Sequence, residues 1–243
     1  MPFSTLPDEI KIYRALDKNG LLCTLGIFTG AVPDRSKLKS LSPTLLLRSL
    51  TVYAKMEGEK GDPTENRICA IHPIAGQNLD PTLVSCWSLT KSFTKFANTV
   101  AVIESTVGDI RKIMTWASEV FRNPSITHST VHYYEIGTQD TELSKVVLPH
   151  GFAKPKKHEN EAEYRFLMKY KHPNVRIRLD DFKISLSGHT DYRYIKHIHL
   201  SPSIEKEFSC YDLRVLKEIA NMHMAKWGAI NPIPDHIETV TYS

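Results

Sequence analysis

Glu161-Ala162-Glu163-Tyr164-Arg165-Phe166-Leu167-Met168-Lys169-Tyr170 is the stretch whose reading decides the fold. From Tyr164 to Tyr170 bulky residues recur at every second position, a period that sends alternate side chains to opposite faces of a strand. Two carboxylates stand at its head. Being two residues apart, Glu161 and Glu163 are expected on one side of that strand, about 7 Å from each other. Like charges held so close raise each other's pKa or hold a cation. The plain alternative is an exposed edge strand with solvated acids, since glutamate is almost never buried unless paired.

Upstream, Leu83-Val84-Ser85-Cys86-Trp87-Ser88 reads as a buried strand and Thr99-Val100-Ala101-Val102-Ile103 as another, with a short amphipathic turn carrying Phe93 and Phe96 between them. The clearest helix follows. Thr106 caps it with Asp109 three places on, and Val107, Ile110, Ile113, Met114, Ala117, Val120 and Phe121 form one apolar stripe that Asn123-Pro124 ends. Further strands are expected over 130–134, 163–170, 175–179, 182–186 and 194–200. A second capped helix starts at Ser209, has Asp212 at its third position, and runs to Trp227, where Gly228 stops it. Residues 237–242 are expected to return as a last strand. Residues 1–44, in contrast, read as irregular, because Gly30, Pro33 and Pro43 interrupt them. The sum is an α+β fold forming a single domain over residues 1–243, with a mixed, mostly antiparallel sheet and two main amphipathic helices.

Composition narrows the class. A hydrophobic fraction of 41% and a charged fraction of 24% are those of an ordinary globular chain, which argues against a disordered one. No apolar run approaches the roughly 18 residues that span a bilayer, and Met1-Pro2-Phe3-Ser4-Thr5 lacks the basic-then-apolar order of a signal peptide. A cytoplasmic protein without a membrane partner is therefore expected. Cys23, Cys69, Cys86 and Cys210 are scattered with no C-x-x-C pair, so neither a zinc site nor a disulfide framework is indicated. The net charge of +4 permits an anionic partner without demanding one. Lys154-Pro155-Lys156-Lys157-His158 reads as a solvated basic loop, and Arg176-Ile177-Arg178 as a strand with a basic outer face.

Standard chemistry is sparse. The chain has no G-x-x-x-x-G-K-[ST], G-x-G-x-x-G, H-E-x-x-H or G-x-S-x-G, which removes the P-loop NTPase and Rossmann dehydrogenase readings. His197-Ile198-His199 places two imidazoles on one strand face, yet no cysteine or acid nearby in sequence completes a metal site. A solvated or hydrogen-bonded histidine pair is expected there, and no metal.

Gly61-Asp62-Pro63-Thr64-Glu65, Ser85-Cys86-Trp87-Ser88, Val131-His132-Tyr133, Glu161-Ala162-Glu163-Tyr164-Arg165 and residues 195–202 occur in that order. Their succession resembles a bacterial and phage family of unknown function whose pattern runs N-D-P-x-E, C-F-S, V-x-Y, E-x-E-W-R and then a hydrophobic strand before a helix. The likeness covers residues 45–243, with Gly61 in place of Asn and Trp87 in place of Phe. The layout is also similar to the mono-ADP-ribosyltransferase fold, in which an arginine or histidine strand, a serine strand and a Glu-x-Glu strand surround NAD.

That resemblance implies an NAD-dependent transferase, acting on a protein or nucleic-acid acceptor in conflict between phage and host. Glu163 would stabilise positive charge on the ribose as the nicotinamide bond breaks, and Glu161 would orient or deprotonate the acceptor. Arg14 would pair with pyrophosphate, and Ser85 or Ser88 would fix the nicotinamide ribose. Two other classes stand beside it. One is a non-catalytic binding or structural protein whose acids only pair with neighbours such as Arg165. The other is a nucleic-acid binder using Arg176, Arg178, Lys183 and Arg193. Convergence of Glu163, Ser88 and a basic side chain on one cleft separates the enzyme from the binder.

Overall fold

The computed structural model describes residues 5–49, 82–94, 98–120, 125–135, 151–169, 181–185, 194–226 and 237–239. Along the chain run β1 (Lys11–Leu16), α1 (Lys18–Thr24), β2 (Thr44–Ser49), β3 (Thr82–Ser88), β4 (Ala101–Thr106), α2 (Val107–Val120), β5 (Ser125–Thr130), β6 (His132–Tyr134) and β7 (Ala153–Pro155). They are followed by β8 (Glu163–Lys169), β9 (Asp181–Ser185), β10 (His197–Leu200), α3 (Cys210–Lys226) and β11 (Ile237–Thr239). The fold is α+β. Its main sheet is antiparallel throughout except where β10 meets β11, and β6 and β7 form a separate parallel pair.

The main sheet forks at β3. One edge of β3 pairs with β8 along its whole length, from Thr82↔Lys169 to Ser88↔Glu163. The other edge is shared: β1 meets it at Ser88, and β2 meets it at Val84 and Leu83. One arm continues β1-β4-β10-β11 and the other β2-β9, while β5 closes the far side of β8.

The two faces of this sheet differ. Ile12 and Leu16 of β1, Leu83 and Trp87 of β3, Ile103 of β4 and Tyr164, Phe166 and Met168 of β8 all enter one buried cluster, as a two-residue period requires. Helix α2 covers that face with Val107, Ile110, Ile113, Met114 and Ala117, each fully buried. Burying such a side chain contributes about 1.5–3 kcal/mol, so the stripe alone anchors the helix. Its start is fixed locally: Thr106 Oγ1 donates to Asp109 Oδ2 (2.6 Å) and accepts from Asp109 N. Val107 N and Gly108 N donate to the Ile10 and Asp8 carbonyls, which satisfies two more of the helix's orphan donors. Ser209 and Asp212 cap α3 in the same reciprocal way.

Several expectations are corrected by the fold. Residues 11–16, inside the part expected to be irregular, form β1, which lies between β3 and β4 near the middle of the sheet. Its apolar signal is thin because Arg14 occupies the core-side position between Ile12 and Leu16. The strand expected over 130–134 is two: β5 ends at Thr130, and β6 begins at His132. Val131 N donates to Glu163 O whereas His132 N donates to Phe152 O, so the chain changes partner at that point. β10 begins three residues later than expected, at His197. The expected strand over 175–179, together with Gly61 to Glu65, Phe96, Phe121, Tyr170, Trp227 and Gly228, lies outside the described residues.

Candidate functional site

The polar face of the sheet carries the chemistry. Residues opposite one another in register project to the same side, and a continuous row crosses five strands: Glu163 on β8, Ser88 on β3, Tyr13 on β1, Glu104 on β4 and His197 on β10. At one interstrand spacing per step the row is about 19 Å long. Two ionic clusters lie along it.

The first is built around Glu163, which is 5% exposed. Arg165 Nε and Nη2 hold its two carboxylate oxygens at 2.9 and 3.0 Å, and Arg165 Nη1 donates to the Gly151 carbonyl. Lys154, on β7, sends its ammonium between the acids, 2.9 Å from Glu161 Oε2 and 3.5 Å from Glu163 Oε2. His158 Nδ1 approaches Glu161 Oε1 at 3.0 Å. Burial alone would raise the Glu163 pKa, but Arg165 and then Lys154 overcome that and hold it well below the usual carboxylate range. For Lys154, burial works against the charge and the two acids outweigh it, so its pKa is raised. The Tyr133 hydroxyl oxygen accepts from Glu163 N (2.8 Å), and burial pushes the Tyr133 pKa up to about 12.

The acids meet by a different route from strand alternation. Glu161 ends a 3₁₀ turn, Lys156–Glu161, and Ala162 takes a left-handed conformation at φ 42° before β8 starts at Glu163. This break turns both carboxylates toward one ammonium. Lys154 is the residue that sequence reasoning missed. It was expected in a solvated loop, and its neighbours Lys156 and Lys157 are indeed exposed, but Lys154 itself is only 8% exposed. The apolar pair Phe152-Ala153 just before it was the available signal that the chain there is inside.

Of the serines, Ser88 joins this cluster and Ser85 does not. Ser88 stands opposite Glu163, and its hydroxyl donates to the Glu161 carbonyl at 2.9 Å. Ser85 points into the core face, where its oxygen accepts from Trp87 Nε1 at 2.9 Å. Arg14 also projects to the core face, with Nη1 on the Leu46 carbonyl at 3.1 Å and its guanidinium 5.9 Å from the centroid of the Trp87 ring. Glu161, Glu163 and Ser88 are thus brought together, with Lys154 as their basic partner, while Arg14 and Ser85 lie on the other side of the sheet.

No known protein family, curated protein or solved structure matches this chain.

At the other end of the row, Glu104 accepts from Lys11 Nζ (2.9 Å) and faces His199 Nε2 (3.3 Å), while Lys91 Nζ lies 3.5 Å from His199 Nδ1. The rings of His197 and His199 are 5.9 Å apart. Burial raises the Glu104 pKa, yet hydrogen bonds from Lys11 and His199 outweigh it, leaving the value lowered. Burial, then the charge of Lys91, lowers that of His199. Among the described residues no group of three or more histidines, cysteines or acids could hold a metal ion, and no helix is long and apolar enough to cross a membrane.

Proposed function

We propose that the chain is an enzyme of the ADP-ribosyltransferase kind, working on the polar face of the sheet around Glu161, Ser88 and Lys154. The observation that carries this reading is their junction. Ser88 is the register partner of Glu163, its hydroxyl reaches the Glu161 backbone, and one ammonium bridges both carboxylates.

A hydroxyl, a carboxylate and an ammonium on one face suit the sugar of a dinucleotide, whereas Arg14 and Ser85, turned to the core, do not reach it. Bound NAD would supply a nicotinamide–ribose bond whose cleavage leaves positive charge on the sugar. Glu163, held ionised, contributes negative potential next to that sugar and keeps Arg165 and Lys154 in place. Glu161, the less enclosed acid, accepts the acceptor's proton. Ser88 positions a ribose hydroxyl. The acceptor is a protein or nucleic-acid group.

Nicotinamide release at millimolar NAD, measured on the wild type and on Glu161→Gln with folding checked by circular dichroism, tests the reading. The expected loss in the variant is on the order of 10²-fold or more, the scale of a general base. Absence of release from the wild type overturns it. In that case a non-catalytic binding role takes its place. One observation favours that second reading: both oxygens of Glu163 are already paired with Arg165, which ties β8 to the Gly151 carbonyl.

A further inference from the structure

Lys91 lies three residues beyond Ser88, on the segment that leaves β3. Exposed lysines ordinarily wander, because an ammonium on a four-carbon stem has little to hold it. Here the exposed Lys91 ammonium is held from beneath by two buried residues in series. Its Nζ lies 3.5 Å from His199 Nδ1, and His199 Nε2 lies 3.3 Å from Glu104 Oε2. His199 is 5% exposed and Glu104 is 6% exposed.

The direction of the chain follows from charge. Glu104 is ionised and can only accept, so His199 donates from Nε2 and offers the lone pair of Nδ1 to Lys91. The lowered pKa of His199 fits the neutral ring that this requires. Lys91 then gives one of its three N–H bonds to an uncharged partner, which does not neutralise its ammonium. Two other lysines on this face are spent differently: Lys154 on Glu161 and Glu163, and Lys11 on Glu104. Burying a carboxylate and an imidazole to steady a surface lysine is costly for folding alone, and is the arrangement expected where that lysine must meet a ligand in a fixed place.

We propose that Lys91, held by the Glu104–His199 pair, is a binding site for an anionic phosphoryl group, on the same face as Ser88 and Glu163. Lys11, whose side chain is 62% exposed and which pairs with the same Glu104, and the partly buried His197, whose ring lies 5.9 Å from that of His199, border the site. No step of the transferase reading requires this site, and the two stand or fall separately.

Titration calorimetry with inorganic pyrophosphate and with ADP-ribose tests it, on the wild type and on Lys91→Gln, His199→Gln and Glu104→Gln. Binding of both probes is expected, weakened about tenfold or more in Lys91→Gln, the scale of a charged hydrogen bond. Lys91→Arg should retain part of it. Glu104→Gln removes the carboxylate that orients the imidazole, and is expected to weaken pyrophosphate several-fold although it also removes a negative charge. A merely electrostatic surface lysine would give the opposite sign. Unchanged pyrophosphate affinity in Lys91→Gln, or no heat from either probe with the wild type at about 10 mM, a concentration far above an ordinary phosphoryl-site Kd, overturns the proposal. Nicotinamide release is read in a separate assay, so its failure leaves this result standing.

Discussion

The two faces of β3 and β8 are built from the same two strands and held by different physics. On one face Trp87, Tyr164, Phe166 and Met168 pack beneath α2 in a cluster where volume is what matters. On the other, Glu163, Arg165 and Lys154 are buried as charges, each tolerable only because the others are present. The apolar face can lose a group and collapse partly around the gap. The ionic face cannot, since removing one partner leaves another stranded in a poor solvent.

That contrast is open to breakage. The largest effect is expected from Arg165→Met, which leaves Glu163 without its bidentate partner and costs about 3–5 kcal/mol in urea unfolding. Adding Glu163→Gln to the same chain should restore much of the loss. A loss below about 1 kcal/mol for the single variant would show that the charges do not depend on one another. Met114→Ala, beneath the core face, is expected to cost about 2–5 kcal/mol, with no second substitution in the ionic cluster recovering any of it.

Acid sharpens the same difference. The folded pKa of Glu163 lies below its ordinary value of 4.5, so the stability it contributes is fully present above that pH and is lost as the pH falls toward the folded value. In that window the unfolded chain binds a proton that the folded chain refuses. Wild-type unfolding midpoints should therefore drop below about pH 4.5 more steeply than those of Glu163→Gln, and parallel curves would refute the assignment. The smallest effect is local: Thr106→Ala, at the cap of α2, is expected to lower stability by about 1 kcal/mol without altering either face's chemistry.

What the sequence revealed depended on how local each signal was. The two helix caps were legible because Thr106 with Asp109, and Ser209 with Asp212, complete their bonds within four residues. β3 was legible because its residues are nearly all buried, and β8 because of its two-residue period. β1 was not, since Arg14 breaks the apolar alternation and its reason for being there, the Leu46 carbonyl, is 32 residues away. Glu161 and Glu163 were recognisable as a pair, but the cation between them was not: Lys154 reaches them from β7 across a turn whose left-handed Ala162 no pattern announces. Glu104 passed unnoticed for the same reason, its partners Lys11 and His199 lying on two other strands.

The fork at β3 has a consequence for the behaviour of the protein among its own copies. Where β1 and β2 part company, the backbone of β2 would present carbonyls with no strand beside them, the kind of edge that recruits a second chain. Thr44 and Leu46, two residues apart and so aimed alike, instead accept from the Tyr194 hydroxyl at 2.8 Å and the Arg14 guanidinium at 3.1 Å. Two side chains thus stand in for the missing strand, and the Thr44 and Leu46 carbonyls in the gap opened by the divergence are occupied from within the fold instead of standing open to a second chain.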